Sequence, residues 1–253
     1  MRQKIAIAIL SLVALCALFA PVIAPYDYSW QFRDTPGAPA SSRFLMGTDD
    51  LGRDRFSRLV YATRVSILLA PAAALVSVAL ALPLAGFSAL TTLCLSLPWI
   101  FLFIILRALL PLNTSPFESI LLTFALMGVA GWAWPARIFG ASIKQMKQSG
   151  WLLQARASGL GGPRIALVHV WPHLRAIAWA QFRVLVPAYI LSEASLGLIG
   201  LGVAEPLPSW GNLLAELQRP EAVHSNPWVL APLGLLMIVM ICLEQLQSPG
   251  VAP

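Results

Sequence analysis

The sequence predicts an all-α polytopic membrane protein with about six transmembrane helices. Of its 253 residues 58% are hydrophobic and only 11% are charged, and the mean hydropathy is +0.76. Soluble domains carry about 25% charged residues. The net charge of +6 and the pI of about 9.7 do not indicate nucleic-acid binding, because the basic residues lie in loops beside apolar runs. In that position they orient a membrane protein.

Six apolar runs are predicted to span the bilayer, each near the roughly 20 residues that a span requires. The first follows Arg2 and Lys4 and ends at Pro21 and Pro25, which favours an uncleaved span over the alternative of a signal peptide. The apolar stretch 65–112 is too long for one helix, so a turn is placed at 86–92. The six predicted spans of this single domain, 1–253, are 5–24, 65–85, 93–110, 119–138, 177–203 and 228–244.

Loop charge predicts the orientation. Arg2 and Lys4 place the N-terminus inside, and a basic loop at 139–175 lies inside as well, so both termini are predicted to be cytoplasmic. The segment 25–64 then lies outside although it carries six arginines. Its five aspartates suggest how the arginines are tolerated, namely in a folded, ion-paired element.

The basic loop has no Asp or Glu between Arg137 and Arg175. An amphipathic helix is predicted over 142–158, followed by glycines at 159, 161 and 162, and then by a second helical run that Pro172 ends. Such a structure can dock a soluble partner or lie on anionic lipid at the membrane surface. Residue chemistry alone leaves both alternatives open.

Several charged side chains are candidate functional residues. Glu193 and Arg183 lie in or near the fifth span, where charges are costly and usually pair or face a cavity; a position at the end of the span is an alternative for Arg183. Asp49, Arg53 and Asp54 belong to a charged patch before the second span, for which a solvated turn is the alternative. The three cysteines and three histidines show no metal-ligand spacing, and the chain has no phosphate-binding loop for ATP.

Three stretches resemble the inner-membrane permeases of binding-protein-dependent ABC importers. The loop of that family carries E-A-A, three residues, a glycine and a later proline; here Leu153-Gln154-Ala155, Gly159 and Pro172 occupy these positions, with Leu153 and Gln154 departing from the pattern. The stretches 45–66 (beginning LMGTDDLGRD) and 191–216 resemble the dipeptide, oligopeptide and nickel permeases, in particular their "C" subunit. Two departures are a short region at 85–97 and an atypical tail after residue 244.

The resemblance implies a type I importer permease fold, with 139–175 as a cytoplasmic coupling loop, in the bacterial inner membrane. The chain would be a permease subunit, not an enzyme, that forms half of an ATP-driven pathway for peptides or similar small solutes. Its partners would be a second homologous permease, two cytoplasmic ATPases that use ATP and Mg²⁺, an extracytoplasmic binding protein, and membrane lipid; the chain itself would bind no cofactor. The alternatives are a self-contained secondary transporter or channel and a non-transporting assembly subunit.

The resemblance also assigns roles to individual residues. The ATPase-coupling residues would be Gln154, Ala155, Arg156, Gly159, Gly161 and Pro172. Glu193 and Arg183 would be buried or line the pathway. The residues on the external side, toward the binding protein, would be Asp49, Arg53, Asp54, Ser209, Trp210 and Asn212. For Trp210, a place in the interfacial aromatic belt is the alternative.

Overall fold

The computed structural model describes residues 2–98, 101, 104–105 and 115–247, apart from the side chains of Arg156 and Pro163. An isolated antiparallel bridge joins Thr48 and Asp54, and these described residues contain no other β-structure. The predicted all-α fold class is therefore confirmed. The helices are α1 (Arg2–Leu18), α2 (Ala20–Ile23), α3 (Arg55–Leu84), α4 (Ser88–Ser96), α5 (Pro116–Ala130), α6 (Ala133–Lys147), α7 (Gly150–Ala157), α8 (Gly162–Ile165), α9 (Trp171–Leu198), α10 (Trp210–Ala215), α11 (Pro220–Ser225) and α12 (Ala231–Gln247).

Four helical stretches of the described chain are long and apolar enough to cross a membrane. They are Arg55–Leu84, Pro116–Lys147, Ala166–Leu198 and Pro227–Gln247. The first of these begins ten residues before the predicted start at 65, because Asp54 caps the helix at that point. The predicted span 5–24 is divided between α1 and α2, and only the start of the predicted span 93–110 coincides with α4. Much of the rest of that prediction lies outside the described residues.

The chain divides into two compact units. Unit 1 comprises Met1–Ala70, Leu110–Phe124 and Pro187–Pro253, and unit 2 comprises Pro71–Leu109 and Ala125–Val186. In unit 1, α12 packs against both α1 and α10. In unit 2, α4 packs against α6, and a core forms around Ala81, Trp132, Phe139 and Leu174.

The loop 139–175 is built differently from the prediction. A single helix over 142–158 was expected, but α6 ends at Lys147 and α7 begins at Gly150. The break is closed by backbone hydrogen bonds from Gln148 to Gln145 and from Ser149 to Met146.

Pro172 does not end a helix, contrary to the prediction. It is the second residue of α9, which follows a π-helical turn at Ala166–Val170 without interruption. In that turn the N–H of Trp171 bonds to the carbonyl of Ala166, five residues earlier. A proline ring normally clashes with the carbonyl four residues before it. The wider π turn at the entry to α9 accommodates the ring.

Candidate functional site

The charged patch before α3 is a buried ion-paired cluster, which we define as Asp49, Arg53, Arg58 and Glu205. The Nε atom of Arg53 lies 2.7 Å from Asp49 Oδ2, and its Nη1 lies 2.5 Å from Glu205 Oε2. Nη2 of Arg58 donates to Glu205 Oε1 at 2.9 Å. Arg58 is only 1% exposed, whereas the Glu205 side chain is half-exposed. The cluster therefore joins the start of α3 to the loop before α10.

Local backbone chemistry fixes the geometry of this cluster. Asp49 Oδ1 accepts hydrogen bonds from the N–H groups of Leu51 at 3.0 Å and Arg53 at 2.8 Å. Gly52 has φ +75°, and a Cβ at this position would lie 2.3 Å from the carbonyl oxygen of Phe32, so the turn requires glycine. Asp54 Oδ2 accepts from the Ser57 N–H at 2.8 Å, which makes Asp54 the N-cap of α3.

Two further ion pairs and a hydrogen bond hold the same segment against the loop after α10. Arg55 pairs with Glu216, and Arg219 pairs with Asp50 at the surface. Nδ2 of Asn226 donates to the Met46 carbonyl at 2.9 Å.

The balance of burial and charge keeps Arg53 ionised. Burial acts to lower the pKa of Arg53, but Asp49 and Glu205 together raise it above its ordinary value. Because an arginine titrates far above neutral pH, its ion pairs persist across the physiological range.

Glu193 and Trp210 are enclosed in unit 1. Both are 0% exposed. Ser66 Oγ lies 3.4 Å from Glu193 Oε2, and the Trp210 indole N–H donates to Thr63 Oγ1 at 3.1 Å. A Cβ on Gly197 would lie 2.3 Å from the Cα and the carbonyl carbon of Gly211, so the two glycines allow the backbones of α9 and α10 to approach closely.

The predicted role of Trp210 and its neighbours on the external side changes accordingly. A fully buried Trp210 belongs neither to the exposed surface of the chain nor to an interfacial belt. Ser209 is also 0% exposed and caps α10 by accepting from the Asn212 N–H at 3.2 Å. The Asn212 side chain donates to the Val203 carbonyl at 2.7 Å. The polar groups of Ser209 and Asn212 bond within the chain, so these residues stabilise the conformation of the loop.

Arg183 is partly buried on α9. It precedes Glu193 by ten residues, which in a helix corresponds to about 15 Å of rise. The two residues therefore do not form the direct ion pair that the sequence left open.

The loop 139–175 has a small core of its own, which we call the loop core: Leu152, Ala155 and Ile165, with Leu160 and Val170 packed against it. Leu152 is 2% and Ala155 is 8% exposed, whereas Leu153 is 54% exposed and Gln154 is also exposed. Ala155 thus faces inward, and the outward surface of α7 is formed by its neighbours.

Gly159 ends α7 in the left-handed region, with φ +76°. The N–H of Leu160 bonds to the Ala155 carbonyl at 3.3 Å, and the Leu160 side chain packs on the loop core. This is a Schellman-type helix end, which favours glycine. Gly161 is exposed, and its carbonyl accepts from the N–H of Ile165 at 3.1 Å. The side chain of Arg156 lies outside the described set.

Sequence reasoning missed Glu205 and Thr63, which hold buried groups in place. Glu205 could have been suspected because it is a lone carboxylate beside prolines in a loop, while the segment 53–58 carries three arginines. No local signal marks Thr63 as the partner of an indole 147 positions later. In the described part of the chain, no group of three or more His, Cys, Asp or Glu residues could hold a metal ion.

Comparison with known proteins assigns these features to a family. The sequence profile described as "Binding-protein-dependent transport system inner membrane component" matches residues 81–247. The chain belongs to this family.

Individual relatives agree with the family profile. The chain is 32% identical to the di/tripeptide transport system permease protein DppC of Pseudomonas aeruginosa, over 94% of its own length and 82% of the relative. It is 29% identical to the oligopeptide permease protein OppC of Bacillus subtilis, over 93% and 79% of the two chains. It is 30% identical to OppC of Escherichia coli, over 96% and 83%.

Family membership decides between the functional alternatives. The chain is a multi-pass inner-membrane permease subunit of an ATP-driven importer, and it works in a complex with other subunits. Membership of this family does not agree with the two alternatives, a self-contained transporter and a non-transporting assembly subunit.

Proposed function

We propose that this permease subunit forms half of an import pathway for peptides or similar small solutes and that α7 couples it to a partner ATPase. The substrate class is supported by the relatives, which are named as di/tripeptide and oligopeptide permeases. The coupling role rests on one observation: α7 is held from one side by buried Leu152 and Ala155, and it presents Leu153 and Gln154 on the other.

The connection from α7 to α9 suits a mechanical link. The loop core contacts Val170 in the π turn, and α9 begins at the next residue and continues to Leu198. A displacement of α7 by a bound protein would reach a membrane helix through packed side chains. Coupling between two sites requires an element whose position both sites influence.

The remaining partners and the orientation form part of the same proposal. The loop 139–175 and both chain termini face the cytoplasm, and the segment 25–64 faces the binding protein. A second permease subunit completes the pathway, and two ATPase subunits bind ATP and Mg²⁺. The chain itself binds no cofactor and catalyses no reaction.

Substitutions at Gly159 test the coupling role. Gly159→Val places a β-branched residue in a left-handed conformation, which costs about 1–2 kcal/mol or more, whereas Gly159→Asn tolerates that conformation. We expect the valine variant to lose ATPase co-purification and solute uptake by about tenfold, with normal membrane insertion. The asparagine variant should retain both, since a Cβ at Gly159 meets no atom within 4 Å.

One result would contradict this assignment. Normal uptake by the valine variant would show that the end of α7 has no role in coupling. Equal loss in both variants would instead show that a partner contacts Gly159 too closely for any side chain.

The substrate class needs a separate measurement. Cells that lack the chain should lose uptake of labelled di-, tri- or oligopeptides and regain it on complementation. If peptide uptake is unaffected while another solute accumulates less, peptides are not the substrate.

A further inference from the structure

Unit 2 is a cationic part of the chain. Its sequence contains eight basic residues and no Asp or Glu, since all eleven acidic residues of the chain belong to unit 1. Charges of one sign that remain unmatched inside a unit can bind an anion from outside it.

Three of these cations line one cavity. Arg137, Lys144 and Lys147 lie seven and then three residues apart on α6, so they share a face of the helix. They border a cavity of about 450 Å³ together with Gly140 and Ala141. A Cβ on Gly140 would lie 2.7 Å from the Ala85 carbonyl oxygen, so α6 is held close to the end of α3 beside the cavity.

The opposite wall is the start of α4. Ser88, Thr91 and Thr92 line the cavity from this side, and Thr92 is exposed. No side chain caps this helix end, where Phe87 is the N-cap residue. Uncapped backbone N–H groups at a helix start carry partial positive charge and favour a phosphate group. The Thr91 and Thr92 hydroxyls donate to the carbonyls of Phe87 and Ser88, so the cavity combines three cations, the Ser88 hydroxyl and a helix start.

A second, more apolar cavity adjoins the first. It has a volume of about 400 Å³, shares Arg137 and Ala141 with the first, and is lined also by Trp134 and Ile138. Trp134 is 56% exposed. Exposed tryptophans typically lie at the membrane interface. The lining of the two cavities therefore changes from cationic to apolar at Arg137. A molecule with a charged head and an apolar tail would fit this arrangement.

We propose that this cavity binds the headgroup phosphate of an anionic phospholipid, with the acyl chains on the Trp134 side. The three cations would contact the phosphate and any further headgroup charge, and the Ser88 hydroxyl and the backbone N–H groups at the start of α4 would donate to the phosphate oxygens. The continuity of the cationic and apolar cavities favours a lipid over a free anion or an acidic protein surface. The proposal does not depend on whether α7 docks an ATPase.

Native mass spectrometry of the full chain in neutral detergent tests the site, with phosphatidylglycerol and phosphatidylcholine titrated separately. The variant Lys144→Gln/Lys147→Gln removes two cations from the cavity. At about fivefold per cation, it should weaken phosphatidylglycerol binding by about 25-fold and leave phosphatidylcholine binding unchanged. The control Arg164→Gln/Arg175→Gln removes the same charge from exposed positions of the same loop outside the cavity and should have little effect.

A second variant keeps the charge constant. Ala141→Phe places a ring in both cavities and should also weaken phosphatidylglycerol binding, because the headgroup and the ring compete for space. Equal weakening in the Arg164/Arg175 control would show diffuse electrostatics and overturn the proposal, as would unchanged binding by the lysine variant. Complete displacement of the lipid by excess inorganic phosphate would show a free-anion site. Normal lipid binding with lost ATPase co-purification in the lysine variant would show a protein-docking surface.

Discussion

The two units of the chain use charge in opposite ways. Unit 1 carries nine basic and eleven acidic residues, and six ion pairs join its described residues. Unit 2 carries eight basic residues and no acidic one. Charge in unit 1 therefore holds its own segments together, whereas the exposed cations of unit 2, among them Arg137, Lys144 and Lys147, are available to other molecules.

This difference predicts which substitutions affect folding. In unit 1 the charged groups at the centre of the ion-paired cluster, Asp49, Arg53 and Arg58, are buried, so a lost partner leaves a desolvated group behind, which is costly. In unit 2, Lys144, Lys147, Arg164 and Arg175 are exposed and stabilise little. The same type of substitution should therefore reduce stability in one unit and only binding in the other.

The largest expected effect is at Trp210. Trp210→Ala removes a fully buried ring and its hydrogen bond to Thr63, and should lower the free energy of unfolding by about 3–5 kcal/mol. Thermal denaturation in detergent measures the change. Trp30→Ala, at a position 62% exposed in the same unit, is the control and should change stability by less than about 0.5 kcal/mol. Equal losses in the two variants would mean that α10 is not packed as described.

The next effect concerns the ion-paired cluster. Arg58→Gln removes the buried guanidinium that bonds to Glu205, and we expect a loss of about 2 kcal/mol, moderated by the half-exposed carboxylate. Arg33→Gln, at an exposed position of the same segment, is the matched control. If both variants are as stable as the parent chain, charge does not hold this segment in place.

A smaller effect is expected at the start of α3. Asp54→Ala removes the cap and should cost about 1 kcal/mol, whereas Asp54→Ser should retain most of the stability because serine also accepts the hydrogen bond. Asp34→Ala, an exposed aspartate in the same segment, is the control. The midpoint of thermal denaturation measures the stability of each variant. A serine variant as unstable as the alanine variant would contradict the capping role of Asp54.

The smallest expected effect on stability is in unit 2. Lys144→Gln/Lys147→Gln should shift the free energy of unfolding by less than about 0.5 kcal/mol, because both side chains are exposed. A loss as large as that of Arg58→Gln in the same thermal assay would remove the contrast between the units.

The sequence predicted the features that depend on composition and on short motifs. Low charge and recurring apolar runs gave the membrane class, and the dense Asp and Arg content of 25–64 suggested an ion-paired element. What could not be predicted depends on distant contacts. The burial of Trp210 requires Gly197 and Gly211 to meet, and Glu205 acts through arginines about 150 residues away. The inward direction of Ala155 depends on where α8 places Ile165.

The long separation between the partners of the ion-paired cluster has a consequence for biosynthesis. Arg53 and Glu205 are 152 residues apart. At a synthesis rate of about 5–20 residues per second, Arg53 leaves the ribosome roughly 8–30 s before Glu205. During that interval the segment that contains Arg53 and Arg58 has been made while the Glu205 carboxylate has not. The ion pairs of Arg53 and Arg58 with Glu205 therefore cannot form until the late loop has been translated.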